Sequence, residues 1–261
     1  MEGIALKPFT IIPELEDLIF EWCARLRCRE TPALALVSKR IQRRVEPIIY
    51  HTIKLSERHR SYHSASFYER FLFCLRARPK SFFAAHVVNL EVMSTVPRAI
   101  VSEILDACTG VRNLALWQHS EPRSQLAVLM RPLSQNLKSL CIHSTLLPGI
   151  IDAGLTFPDV EHLSIVVCSP VPPLGWLPNV TSVEMGFRMG PFYSPDEWLT
   201  ESRTVLASAP RLQRLQLRVA DYNHIVHTVL HRLDEVPEGD DPRISVDEWP
   251  DDAWWRSNFY E

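Results

Sequence analysis

One six-residue pattern, apolar-x-x-apolar-x-apolar, recurs along this 261-residue chain and constrains its fold more than any other feature. Its six regular copies have the anchors Val87/Leu90/Val92, Val111/Leu114/Leu116, Leu137/Leu140/Ile142, Val160/Leu163/Ile165, Val180/Val183/Met185 and Leu212/Leu215/Leu217. A looser copy, Tyr50/Ile53/Leu55, precedes them. Alternation at the last two anchors is typical of a short strand with one buried face, so the recurrence predicts several strands side by side.

The spacing of the copies predicts what joins these strands. Their first anchors lie 24, 26, 23, 20 and 32 residues apart, which leaves room for one strand and one return segment per copy. Amphipathic stretches in most return segments predict helices, whereas the proline-rich residues 169–177 are too short for one. The spacing is that of a leucine-rich repeat, so we expect an α/β leucine-rich-repeat solenoid of six to seven irregular strand-helix repeats over residues 48–246.

A compact helical segment is predicted before the repeats, over residues 1–47. Pro13 suits a first helical position, and an apolar stripe runs from Leu15 to Leu26. A second helix is expected to begin at Thr31 and to end at Pro47, because proline interrupts a helix. Extended chain would then lead into the repeats.

The chain ends in an acidic, tryptophan-rich segment over residues 247–261. A solenoid exposes the apolar core of its last repeat unless something covers it. We therefore expect this segment to cap the repeats, and a partner-binding tail is the alternative.

Three short motifs carry a resemblance to a known family. They are Ile12-Pro13-x-Leu15-x-x-Leu18-Ile19, Leu36-Val37-Ser38-Lys39-Arg40 and Pro47-Ile48-Ile49-Tyr50-x-x-Ile53-x-Leu55. Together they resemble an F-box followed by leucine-rich repeats, as in the F-box-like proteins abundant in mushroom-forming fungi. The resemblance implies a substrate-recognition subunit of a Skp-cullin-F-box ubiquitin ligase, which binds a Skp-type adaptor and a target protein. The residues it implies for adaptor binding are Pro13, Leu15, Leu18, Ile19, Val37, Ser38 and Ile41.

One departure from the F-box pattern keeps an alternative open. Ile41 stands where that pattern usually has a tryptophan, which favours a leucine-rich-repeat interaction scaffold without a ubiquitin-ligase role. Under either interpretation the strand residues between the anchors are the expected partner-binding residues. They are Arg112, Asn113, Trp117, Lys138, His143, Glu161, His162, Glu184, Gln213, Arg214 and Gln216. Trp117 is the strongest of them, because a tryptophan facing outward is costly unless a partner or a neighbouring loop covers it.

Catalytic and cofactor signatures are absent from the sequence. The patterns G-x-S-x-G, H-E-x-x-H and G-x-x-x-x-G-K-[ST] do not occur, so we predict a protein that binds rather than an enzyme and assign it no cofactor. His143 and His162, predicted at corresponding positions on neighbouring strands near Glu161 and Glu184, are the alternative acid-base site. The triplet His224, His227 and His231 is the alternative metal site, although its helical spacing turns it toward solvent.

Charge and cysteine content bear on partners and compartment. Residues 25–80 carry 14 Lys and Arg against 4 Asp and Glu, but no nucleic-acid-binding signature accompanies this basic stretch. The six cysteines are scattered without a C-x-x-C pair, so we expect most to be small buried residues in a reducing compartment, the cytoplasm or the nucleus. No apolar run approaches the roughly 20 residues that would span a membrane.

Overall fold

The computed structural model of the protein describes residues 12–26, 31–55, 67–117, 123–187, 195–220 and 241–249. The chain divides into two compact units, Met1–Thr52 and Ile53–Glu261. We call them the helical unit and the repeat unit and describe each by itself.

The helical unit contains the helices α1 (Pro13–Leu26), α2 (Thr31–Leu34) and α3 (Lys39–His51). Helix α1 forms as its apolar stripe predicts. The second predicted helix is instead split in two, because the Ser38 hydroxyl accepts a hydrogen bond from the Ile41 amide at 3.2 Å and so begins α3. A small core holds the unit together, formed by Ala24, Ile41 and Val45 with the partly buried Phe20, Leu34, Ile48 and Ile49.

Helix α3 continues past Pro47 to His51, so the prediction that proline ends it was wrong. Pro47 removes one backbone hydrogen bond from the helix. The two residues after it, Ile48 and Ile49, are partly buried and pack against the core of the helical unit. Their burial offsets the missing bond, and the first strand begins at Thr52 rather than near Ile48.

The repeat unit is built on one open sheet of parallel strands that lie side by side in chain order. Within the described ranges the strands are β1 (Thr52–Leu55), β2 (Asn89–Val92), β3 (Asn113–Leu116), β4 (Ser139–His143), β5 (His162–Val167), β6 (Ser182–Phe187), β7 (Arg214–Ala220) and β8 (Ile244–Trp249). This α/β architecture is compatible with the predicted solenoid. Strand β8 reaches Trp249, three residues into the segment predicted as a cap.

The repeat anchors, meaning the apolar residues of the six regular copies, are all buried as predicted. The strand register places the second anchors opposite one another across the sheet, from Leu90 through Leu114 to Leu215. The third anchors align in the same way. The recurring pattern therefore produces continuous apolar rows, which is the structural basis of the repeat unit.

A repeated backbone feature explains why two residues, and not one, separate the first anchor of a copy from the second. At the entries of β3 to β7, two successive amides donate to one carbonyl, that of the residue just before the preceding strand. The amides of Lys138 and Ser139 both bond to Arg112 O, at 2.7 and 3.1 Å, and those of Glu161 and His162 both bond to Lys138 O. The same arrangement recurs at residues 112–113, 181–182 and 213–214. It inserts an extra residue, as a β-bulge does, so both anchors face the core although three positions apart.

Helices occupy most of the return segments. They are α4 (Phe67–Ala77), α5 (Lys80–His86), α6 (Arg98–Ala107), α7 (Arg123–Met130), α8 (Leu147–Asp152) and α9 (Pro195–Ser208), and short 3-10 turns cover Arg131–Leu133 and Ser144–Leu146. Helix α6 packs on α4, α5 and α7, and α7 packs on α8. As predicted, residues 169–177 contain no helix. Gly110 is required before β3, because a Cβ there would lie 1.9 Å from the carbonyl oxygen of Ala84.

Candidate protein-binding surfaces

Six of the predicted partner-binding residues form an exposed row where the strands begin. We call this row the entry edge, and its members are Arg112, Lys138, Glu161, His162, Gln213 and Arg214. The shared-carbonyl hydrogen bonds described above link their backbones from one strand to the next. The entry edge is therefore a polar surface of fixed backbone geometry on which side chains are free to meet a partner.

The entry edge carries charges of both signs, with Arg112, Lys138 and Arg214 positive and Glu161 negative. Lys138 lies 3.4 Å from Asp159 and 3.7 Å from Glu161, and all three side chains are about half exposed. Such exposed ion pairs contribute little to stability, about 0 to 1 kcal/mol each. Their charges remain available to a partner, because breaking them costs the fold little.

Other predicted partner-binding residues lie inside the repeat unit, which corrects the expectation that they face outward. His143, Glu184 and Gln216 are buried, and Trp117 and Asn113 are partly buried. The cause is contact between neighbouring strands about 4.8 Å apart. The Trp117 and His143 rings meet edge to face at 6.0 Å, and the Asn113 side-chain amide donates to Asn89 Oδ1 at 2.6 Å.

Charged side chains buried on this face of the sheet are paired. Glu184 on β6 forms an ion pair with Arg218 on β7, and Glu91 on β2 lies 3.7 Å from Lys54 on β1. A buried carboxylate without a partner would be costly, so these pairs allow the charges to remain on the sheet. The Glu184 carboxylate is thus committed to an internal contact and not to a partner.

The proposed acid-base pair of His143 and His162 does not form. His162 pairs in register with Ser139, whereas His143 pairs with Val166. Ser139 and His143 are four positions apart on β4, which corresponds to about 13 Å along the strand. The two histidines therefore do not occupy corresponding positions, and the prediction that they do was wrong.

Cys168 is a residue that the sequence reasoning missed. Most cysteines were expected to be buried, and Cys108 and Cys141 are, whereas Cys168 is exposed directly after β5. Its Sγ lies 3.4 Å from Nδ1 of His143, 25 positions earlier in the chain. The available signal was its alternation with Ser164 and Val166, which places it on the face of the sheet that carries His143.

The helical unit presents an apolar face to the outside. We call it the outer face of α1; its members are Leu15, Leu18, Ile19, Trp22 and Leu26. Leu18 is 57% exposed and Trp22 is 66% exposed. These residues are spaced so that they form one stripe along the helix, which is the arrangement that normally faces a core. Here nothing in the described part of the helical unit covers the stripe.

Polar contacts hold the opposite face of α1 against α3. Arg40 on α3 forms ion pairs with Glu16 and with Asp17 and donates to the Pro13 carbonyl at 3.1 Å. Arg44 lies 3.6 Å from Asp17. At 100° per residue, Asp17 and Ala24 point directly away from the apolar stripe. The attachment of α1 to α3 is therefore what turns the stripe outward.

The remaining predicted adaptor-binding residues divide into two groups. Pro13 and Val37 are exposed, and Val37 lies beside Leu36, which is 86% exposed. Ser38 is also exposed, although its hydroxyl caps α3. Ile41 is fully buried in the core of the helical unit, which corrects its assignment as a contact residue. It packs the helices together and cannot touch an adaptor while the unit is folded.

The basic stretch is largely occupied by internal contacts where the structure describes it. Arg76 forms two hydrogen bonds of 2.8 Å with Glu103, which raise the pKa of Arg76 and lower that of Glu103. Lys80 pairs with Asp106, and Arg78 lies over the Phe82 ring. These contacts offset the positive charge locally, which argues against a continuous phosphate-binding surface.

The described residues contain neither a metal-binding cluster nor a helix that could span a membrane. Across the described ranges, no three His, Cys, Asp or Glu side chains converge in a way that could hold a metal ion. The triplet His224, His227 and His231 lies outside the described residues. None of the helices that the structure describes combines the length and apolar character that crossing a membrane requires.

Comparison with protein-family models found no matching family, and comparison with curated proteins found no matching relative. The outer face of α1 and the entry edge are therefore the basis for assigning a function.

Proposed function

We propose that this protein is the substrate-recognition subunit of a Skp-cullin-F-box ubiquitin ligase. The outer face of α1, extended by Leu36 and Val37, binds the Skp-type adaptor. The entry edge of the repeat unit binds the target protein. The protein itself supplies no catalytic residue and acts by holding the target near the ligase, which raises the effective concentration of the reacting groups.

The outward-facing apolar stripe of α1 is the observation that carries this proposal. Contiguous exposed apolar surface on a folded unit marks a site of protein or membrane interaction. Leu15, Leu18 and Ile19 are in this stripe and also in the motif that resembles an F-box. Two independent lines, the resemblance and the exposure, thus point to the same residues.

The entry edge supports the target-binding half of the proposal. Its side chains are exposed, polar and of both charges, while the strands beneath them are fixed by buried apolar rows. A fixed backbone lowers the entropic cost of binding, because only the side chains must become ordered. A target that carries both acidic and basic side chains is the chemistry that best complements the positive Lys138 and Arg214 and the negative Glu161.

Co-purification of the intact chain with a Skp-type adaptor tests the proposal. The wild-type protein is expected to form a stable complex, and Leu18→Asp is expected to weaken it by roughly thirtyfold or more, because a charge then replaces a central apolar contact. Phe73→Asp is the matched control, since Phe73 is 77% exposed on α4 of the repeat unit. This control variant is expected to bind the adaptor as the wild type does.

A repeat scaffold without a ligase role is the second candidate, and the burial of Ile41 favours it. The residue that stands in the usual tryptophan position is inside the helical unit and offers no contact to an adaptor. This alternative predicts that the correctly folded chain forms no complex with a Skp-type adaptor. That result, with normal thermal unfolding of the repeat unit, would overturn the ligase proposal.

A further inference from the structure

A thiol and an imidazole meet at the ends of two neighbouring strands of the repeat unit. His143 is the last residue of β4, and Cys168 follows the last residue of β5. Cys168 Sγ and His143 Nδ1 are 3.4 Å apart, within hydrogen-bonding distance for sulfur. His143 is only 2% exposed, whereas Cys168 is an exposed residue. A dissolved reactant can therefore approach Cys168 from solvent, while His143 lies inside the repeat unit.

The backbone of Cys168 is held in place by the buried Ser144. The Ser144 hydroxyl oxygen accepts hydrogen bonds from the amides of Cys168 at 2.9 Å and Ser169 at 2.8 Å. It lies 3.0 Å from the Ser169 hydroxyl, to which it can donate its own proton. These three contacts use the full capacity of one hydroxyl group. They fix the position of the thiol relative to β4, the strand that carries His143.

When its imidazole carries the proton on Nε2, His143 can accept a hydrogen bond from the Cys168 thiol through Nδ1. In its row of the sheet the neighbours are Trp117, whose ring packs against it, and Val166, and neither side chain titrates near neutral pH.

The charged groups on the adjoining elements are engaged with other partners. Glu184 on β6 pairs with Arg218 on β7, and Glu91 on β2 pairs with Lys54 on β1. Glu201 on α9 accepts a hydrogen bond from the Val171 amide, three residues beyond Cys168.

Two other thiols of the repeat unit provide an internal contrast. Burial raises the pKa of Cys108 to about 12 and that of Cys141 to about 12. The reactive form of cysteine is the thiolate, so these two side chains are inert at neutral pH. Cys168 differs from both in its exposure and in its contact with an imidazole.

We propose that Cys168, with His143 as its base, is a modification site that reacts with peroxides. His143 takes the thiol proton, and the thiolate attacks one oxygen of the peroxide. The oxygen-oxygen bond breaks, and the leaving hydroxide takes the proton from the imidazolium to form water. Sulfur is oxidised to sulfenic acid and hydrogen peroxide is reduced to water. This reaction requires neither an adaptor nor a target protein, so its test is independent of the proposed function.

Treating the intact chain with hydrogen peroxide in the presence of dimedone tests the proposal. Dimedone traps sulfenic acid, and mass spectrometry locates the adduct. We expect labelling of Cys168 and none of Cys108 or Cys141. His143→Gln is expected to slow the labelling at least about threefold. This factor follows because lowering a thiol pKa by one unit raises its thiolate fraction nearly tenfold and reduces its intrinsic nucleophilicity about threefold. The net gain in rate is about threefold. His51→Gln, which changes an exposed histidine of the helical unit, is expected to have no effect.

A second measurement avoids the risk that a substitution at His143 disturbs the fold. The rate of alkylation of Cys168 by iodoacetamide in the wild-type chain, measured against pH, is expected to rise with a midpoint below the ordinary thiol value of about 8.5. A midpoint at or above that value would overturn the proposal, as would equal labelling of Cys168 in the wild type and in a folded His143→Gln variant.

Discussion

In the repeat unit the apolar pattern is buried, whereas in the helical unit an equally regular apolar stripe is exposed. The repeat anchors lose nearly all contact with solvent, while Trp22 on α1 remains 66% exposed. The difference arises from what lies opposite each apolar face. The anchors of each strand align in register with the buried anchors of the next strand. In contrast, ion pairs of Arg40 with Glu16 and Asp17 attach α1 to α3 through the side of α1 that lies away from its apolar stripe. An amphipathic pattern thus predicts an interface, and the neighbouring elements decide whether that interface lies within the chain.

Replacing one leucine in each unit by aspartate gives the largest expected contrast. Leu114→Asp places an unpaired charge among buried anchors, so we expect the repeat unit to lose about 3 to 5 kcal/mol and to lose its cooperative unfolding transition. Leu18→Asp changes an exposed residue and is expected to shift stability by no more than about 0.5 kcal/mol. Thermal unfolding followed by circular dichroism measures both. Equal destabilisation by the two substitutions would mean that the outer face of α1 is buried in the protein.

A pair of tryptophans gives a smaller contrast of the same kind. Trp117 is partly buried and packs edge to face on His143, so Trp117→Ala is expected to cost about 1 to 3 kcal/mol while the chain stays folded. Trp22→Ala removes an exposed ring and should change the free energy of unfolding by less than about 0.5 kcal/mol. Urea denaturation of the two variants tests the difference. Trp117→Phe keeps an aromatic ring and is expected to recover part of the loss.

The pH dependence of stability that a buried carboxylate causes is the smallest of the expected effects. Burial raises the pKa of Glu201, Glu197 acts in the same direction, and the hydrogen bond from the Val171 amide opposes them. Because the pKa is higher in the folded state, the associated stability is present below the ordinary value of 4.5 and is lost as pH rises through the raised pKa. Glu201→Gln should remove that loss, so its stability should fall less than that of the wild type between pH 4.5 and neutrality.

Urea denaturation across this pH range measures the dependence. Glu161→Gln is the matched control, because Glu161 is exposed on the entry edge. It is expected to keep the pH profile of the wild type. Identical profiles for all three proteins would show that burial of Glu201 has no energetic consequence.

The sequence predicted the buried anchors of the repeat unit well, because alternation and spacing repeat over six copies. Each copy repeats the same local physics, so the inward direction of Leu114 or Leu163 follows from the pattern. Prediction from the sequence failed where the local structure depends on contacts between residues that are distant in the chain. Helix α3 passes Pro47 because Ile48 and Ile49 reach a core formed with α1, and no local rule reports that contact.

The candidate binding residues were predicted less well for the same physical reason. Alternation assigns a side chain to one face of the sheet, and it does not say whether neighbours on that face cover it. Arg112 and Lys138 are exposed at the strand entry, whereas His143 and Glu184 are covered further along the strands. The contact between Cys168 and His143 joins the ends of two strands, so it becomes visible only once the register is known.

Hydrogen-deuterium exchange of the intact chain with and without a Skp-type adaptor tests the central claim most directly. Ion pairs attach the opposite face of α1 to α3, and the outer face of α1 is exposed. We therefore predict that the adaptor slows exchange in residues 13–26 and 36–37 and leaves the strands of the repeat unit unchanged. Unchanged exchange in residues 13–26, or protection confined to the repeat unit, would contradict the account.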